Sequence, residues 1–213
     1  MNWQVAYTLQ NLRKHHGADA ARALSGDAVL ITIPHQPQVL AVISDAYTIS
    51  EQSTTHYHAQ FPGLDFVCGY RKECVWEGEA ISYLENRKIG WGSAGTLSSA
   101  AASGKANTTT HKDFSFSIRL IHQLRNIKKI VREYDRILSV TLVNCRHLRI
   151  AMIREYEPTA DAIRSHWERF GPFDIAWNIN PNGDPTQMAI EAGRQLGCQV
   201  MKWEELSVIL RRN

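Results

Sequence analysis

Residues 114–132 read FSFSIRLIHQLRNIKKIVR, and their basic side chains recur at a regular spacing. His122, Arg125, Lys129 and Arg132 follow at three, four and three residues, with Arg119 one step earlier. On a helix that spacing draws a cationic stripe along one side. Leu120, Leu124, Ile127 and Val131 recur at four, three and four, and with Ile121 and Ile130 they make an apolar side. A helix anchored by one side and cationic on another is suited to following phosphates. Arg146 and Arg149, with His147 and Arg154, fall on the next expected hairpin and would widen the surface. Two plainer explanations fit the same residues. One is a solvated face, and the other is contact with an acidic protein partner.

A second stretch suggests a small-molecule site. Residues 173–186 read FDIAWNINPNGDPT, an apolar strand running into a segment rich in Asn, Gly and Pro before a helix. In open α/β sheets, ligands sit beyond the carboxyl ends of the strands, against helix N-termini. Asn178, Asn180, Asn182, Gly183, Asp184 and Thr186 are therefore candidates to face a ligand. The same residues also spell a plain turn. Asn180-Pro181, Gly183, Thr186 and Leu196-Gly197 resemble a segment of the nucleoside deoxyribosyltransferase-like Rossmannoid proteins, over about 30 of the 213 residues. That resemblance implies a nucleotide or nucleoside ligand. With Gly197 aligned, the family's glutamate falls on Ala189, and Glu191 is two residues away, so no catalytic role carries over.

The remaining motifs are thinner. Gly90-Trp-Gly-Ser-Ala-Gly95 fits GxGxxG, but a dinucleotide fingerprint needs a strand just before it and an acid about 20 residues on. The preceding segment reads as helix and the following one as linker, which makes the match a coincidence. His56, His58, Cys68 and Cys74 lack the paired spacing of structural zinc sites. A PD-(D/E)xK nuclease would need an acid on one strand and an acid-x-Lys on the next. Asp45, Asp65, Glu73 and Glu77 are available, and none has Lys two residues later. Asp65 and Asp174 open their strands and read as structural. No metal and no cofactor is expected, and no motif specifies a reaction.

The positive charge is concentrated. The chain carries 24 Lys+Arg and 21 Asp+Glu, net +3, yet residues 105–155 alone carry net +7, while 1–104 and 156–213 are each net −2. No apolar run approaches the roughly 18 residues that a membrane span needs. The first residues lack a secretory leader, and the four cysteines form no CxxC pair. A cytoplasmic protein with reduced thiols and no membrane contact is the expectation.

The elements that must position these residues read as α/β. Residues 1–91 form one unit and 112–213 a second that opens with the basic helix. Segment 92–111, which reads GSAGTLSSAAASGKANTTT over 92–110, is expected as a small-residue linker or mobile loop, with a short alanine-rich helix over 96–103 as the other reading. Both units read α-β-β-α-β-α-β with mixed sheets. A slide of 109 residues places Tyr47 on Tyr156, Phe61 on Phe170 and Asp65 on Asp174. Either an internal duplication or the general likeness of α/β units accounts for that. The expected function is accessory nucleic-acid binding, to DNA or RNA, through the basic helix. The alternatives are a Rossmannoid nucleotide-binding enzyme or sensor using the Asn-rich loop, and an interaction subunit of a larger assembly.

Overall fold

The computed structural model describes residues 3–212, and the chain divides into two compact units, Met1–Lys112 and Asp113–Asn213. The first unit runs α1 (Trp3–His16), β1 (Ala21–Ala23), β2 (Ala28–Ile31), β3 (Val39–Ser44), β4 (Thr48–Ile49), α2 (Glu51–Gln60) and β5 (Phe66–Gly69). It continues with β6 (Val75–Trp76), α3 (Gly78–Asn86), β7 (Gly90–Gly92) and α4 (Ala94–Ala102). The main sheet has the order β1-β2-β3-β5-β7. Its first three strands form an antiparallel meander, and β5 and β7 run parallel to β3. Strands β4 and β6 make a separate parallel pair. β5 is buried along its whole length, as an inner parallel strand covered on both faces must be.

The second unit runs α5 (Lys112–His122), β8 (Ile127–Tyr134), β9 (Ile137–Leu142), β10 (His147–Ile153), α6 (Ala160–Phe170), β11 (Ile175–Asn178), α7 (Gln187–Leu196), β12 (Gln199–Met201) and α8 (Trp203–Arg211). Its sheet has the order β12-β11-β10-β9-β8, with β8, β9 and β10 antiparallel and β11 and β12 parallel to β10. Local sequence sets the helix ends. The Thr159 and Thr186 hydroxyls accept from the N–H groups of Ala162 and Ala189, capping α6 and α7. Gly197 ends α7 at φ +83°, a conformation that costs glycine little.

Each unit's five-stranded sheet therefore has one strand more than the four its sequence suggested, and the first unit adds the β4–β6 pair. In the first, α1 stops at His16, and β1 follows as an additional strand, pairing with β2. In the second, the helix expected over 114–132 stops at His122, and residues 127–134 are strand. The reason lies in the ladder. The register of β8 against β9 shifts between Ile127 and Lys129 and again between Arg132 and Tyr134. A bulge breaks the two-residue alternation, so Ile127 and Ile130, three apart, both pack on the core. That spacing imitates a helical one.

Segment 92–111, expected as a linker or mobile loop or, over 96–103, as a short alanine-rich helix, is packed structure and follows the helical reading. It contains α4 and a short 3-10 helix, Ala106–Thr108, with Leu97, Ala100, Ala101 and Ala106 buried in the first unit's core. The small side chains permit close approach: a Cβ on Gly90 would lie 1.8 Å from the Ala106 carbonyl oxygen.

The two units share strand order and direction, and their bonds repeat at a constant offset of 109 residues. Leu40 N donates to Asp65 Oδ2 (2.9 Å), and Arg149 N to Asp174 Oδ2 (2.7 Å). Tyr70 N donates to Ser44 O, and Ile179 N to Ile153 O. Glu77 N donates to Ile49 O, and Thr186 N to Pro158 O. Asp65 and Asp174 thus each tie the start of one parallel strand to its neighbour, a structural task.

Candidate nucleic-acid interface

β8 is the outer strand of the second sheet, and its pairing fixes which side chains share a face. Lys129 lies opposite Thr141, and Thr141 opposite His147. Val131, Ser139 and Arg149 make the next file. Strands lie about 4.8 Å apart, so Lys129 and His147 are separated by about 10 Å across the file. The Thr141 hydroxyl and His147 Nδ1 are 3.0 Å apart, which steadies the inner end of that row.

Backbone bonds draw further chain to this end. Val143 N donates to Asn126 O at 2.9 Å, and Leu142 N to Arg146 O at 2.9 Å. The Asn126 side-chain amide donates to Arg211 O at 2.5 Å. The α5–β8 turn, the β9–β10 turn and the last turn of α8 therefore meet at one end of the sheet. Arg125, Lys128, Lys129, Arg146, Arg211 and Arg212 lie on these segments, on the start of β8 or just after α8, and all are exposed. Among the described residues none of these six is in an ion pair. The unit's ion pairs use Arg136, Arg149, Arg154, Arg164, Arg194 and Lys202 instead. His122, at the end of α5, and His147 are exposed as well.

The candidates from sequence divide on this geometry. Arg125, Lys129 and Arg146 come together, with His122 at the helix end beside them. Arg119 stands exposed on α5, its guanidinium 5.8 Å from the Phe116 ring. Arg149 is held by Glu133 at 2.7 Å and by Pro172 O at 2.5 Å. Arg132 is half-buried and donates to Asp135 O at 3.2 Å. Asp135 is itself buried and paired with Arg136 through two bonds, 2.8 and 3.0 Å. The one-helix stripe is thus replaced by a cluster drawn from a turn, a strand, a hairpin and a helix end. His147, expected on the hairpin, belongs to it; Lys128, Arg211 and Arg212 also belong and were not singled out from the sequence, because only the strand register and the Asn126 bond bring them in.

The Asn-rich loop spends its polar groups internally. Asn178 is buried; its Nδ2 donates to Gly183 O at 3.3 Å, and its Oδ1 accepts from Asn180 N at 3.0 Å. Asn180 Oδ1 accepts from Asn182 N at 3.1 Å. Asp184 meets Lys202 Nζ at 3.0 Å, and the Thr186 hydroxyl donates to Pro158 O at 3.0 Å. A Cβ on Gly183 would lie 1.6 Å from Tyr156 O, so the loop is pinned against backbone. These are the contacts of a self-supporting turn.

The other constellations gather little. Among the described residues no three His, Cys, Asp or Glu are placed to hold a metal ion. His58 Nδ1 lies 3.1 Å from the Tyr83 hydroxyl, while Cys68 and Cys74 are buried. Burial pushes the Cys68 thiol up, with nearby Cys74 adding to the shift, and pushes Cys198 to about 11. Both stay protonated near neutrality, as inert core thiols do. Among the described residues no helix is long and apolar enough to cross a membrane. No family model, no curated protein and no solved structure matches the chain.

Proposed function

We propose that this protein binds nucleic acid through the cationic end of its second sheet, as an accessory binding protein to which no reaction is assigned. The observation that carries the reading is the convergence of six exposed, unpaired cations, Arg125, Lys128, Lys129, Arg146, Arg211 and Arg212, on one end of the sheet. Like charges gathered without acids raise the folded state's own repulsion, and a polyanion relieves it. The charge bias has the same address: residues 113–213 carry 15 basic and 12 acidic residues, against nine of each in 1–112. A strand and hairpin presenting cations on a twisted sheet is an established way to engage a nucleic-acid backbone.

The test is binding to a mixed-sequence duplex, single-stranded DNA and RNA across a salt series. If four phosphates are neutralised on duplex DNA, log K should fall with log salt at a slope of about −3.6. Replacing Lys129 and Arg146 together by Glu should remove binding at moderate salt while the near-UV circular dichroism stays unchanged. A double variant that binds as the parent does would refute the assignment.

A further inference from the structure

We propose that the first unit binds a nucleoside monophosphate in the cleft between α1 and α4, with the phosphate on the first turn of α4 and the base against Trp3 and Tyr7. This site stands on different residues from the cationic end and does not depend on it. The glycines at 90–95 span a strand and a helix start: Gly90–Gly92 is strand β7, α4 begins at Ala94, and Gly95 falls in its first turn. The Ser93 hydroxyl accepts from Thr96 N at 3.3 Å and caps the helix. The N–H groups of Ala94 and Gly95 in the first turn have no carbonyl within the helix to bond, which leaves them for an anion.

Beside this turn is a cleft of about 250 Å³, lined by Thr8, Asn11, His15, Ala94, Gly95 and Ser98 together with two leucines. None of its lining residues is acidic. Thr8 is 5% exposed, and its hydroxyl has no hydrogen-bond partner among the described residues. One turn earlier on α1, Gln4 is 2% exposed, with its side-chain carbonyl oxygen likewise unpartnered. Buried polar groups left unsatisfied are rare and ask for a missing partner. Gly95 gives a second sign. A Cβ there would meet nothing nearer than 3.8 Å, so packing does not require glycine, although glycine weakens a helix. Bare backbone at the cleft is what a close-lying phosphate uses.

The aromatic part follows from α1. Trp3, Tyr7 and Asn11 are spaced four apart and share one side of the helix, a run of about 12 Å. Trp3 is 62% and Tyr7 50% exposed. Tyr70 holds both edge-on, with ring centres at 5.3 and 6.3 Å. Exposed rings fixed in this way offer a stacking surface to any base. β7 is the edge of its sheet, so no following strand carries the ribose-binding acid of a dinucleotide site. That is why one phosphate, and not a dinucleotide, is the ligand inferred.

The experiment measures thermal shift and calorimetric binding of AMP, GMP, CMP and UMP to the full chain, with inorganic phosphate and adenosine as separate arms. At least one monophosphate should raise the Tm more than phosphate or adenosine does alone. Gly95→Asp, which suits a helix N-terminus but repels an anion, should abolish that shift. Thr8→Val should raise the Tm without ligand and weaken monophosphate binding by about tenfold. Trp3→Ala should weaken the monophosphate and leave inorganic phosphate unchanged. No shift with any monophosphate at millimolar concentration would overturn the proposal. So would phosphate matching the monophosphates, or Gly95→Asp and Thr8→Val both binding as the parent does.

Discussion

Arginine does two jobs in the second unit, and neighbours decide which. Arg149 is committed to Glu133 and to the Pro172 carbonyl, so its charge is spent in the fold; Arg125 has no such neighbour and faces water. A residue's type names its chemistry, and only its contacts say whether that chemistry is available. His166 makes the same point for protons. Its Nδ1 lies 2.8 Å from Ala162 O and its ring packs at 5.9 Å from Phe170. Burial lowers its pKa from 6.5; the Ala162 bond and Glu155 oppose the shift, and Arg136 and Arg169 add to it. A lowered imidazole pKa means the unfolded chain takes up the proton first as pH falls. The neutral ring's contribution is complete above about pH 6.5 and is lost as pH falls from there toward the folded value. Urea unfolding of the parent should therefore show stability dropping over that range, and His166→Gln should flatten this part of the profile. An identical pH profile in the variant would show that the ring does not govern it.

At the scale of elements, the sequence was clearest where one period ran undisturbed. Strands β3 and β10 are apolar runs, and helices α6 and α7 begin at the threonines that cap them and end at glycines. β8 was hidden because its bulges place Ile127 and Ile130 on one side at a helical spacing, and because Leu120 and Leu124 extend the same rhythm from α5. The cationic site suffered the same loss. Three of its members, Arg125, Lys129 and Arg146, were legible as charges, but their meeting depends on a turn and a register that no single-chain periodicity encodes. α4 was obscured by composition, since alanine and serine serve a linker and a closely packed helix equally well. The Asn-rich loop shows the reverse: its residues looked available, yet their bonds close on one another. That closure depends on Gly183. Gly183→Ala drives a methyl into the Tyr156 carbonyl and should cost about 3 kcal/mol, read from the urea midpoint. A loss under about 0.5 kcal/mol would mean that the loop moves aside easily and is not the rigid turn described.

At the scale of the molecule, two units with the same strand order carry different surfaces. Each has its own apolar core: one is built around Val5, Leu9, Ile43 and Phe66, and another around Ile121, Leu138, Ile150 and Trp177. Each completes its own five-stranded sheet. A scaffold repeated with the same backbone bonds leaves the exposed side chains to set what each copy meets. The first unit offers exposed aromatics and a bare helix turn, and the second offers unpaired cations. Separate cores predict separate folding. The fragment 113–213 should be soluble, unfold cooperatively, and bind nucleic acid with the salt slope of the full chain, because every cation of the cluster lies within it. The fragment 1–112, with equal numbers of acidic and basic residues, should not bind at the same salt. Both fragments should be followed by circular dichroism melts before any binding is scored, so that an unfolded fragment is not read as an inactive one. Binding that followed the first fragment, or a folded second fragment with no affinity, would place the polyanion contact away from the β8 end of the second sheet.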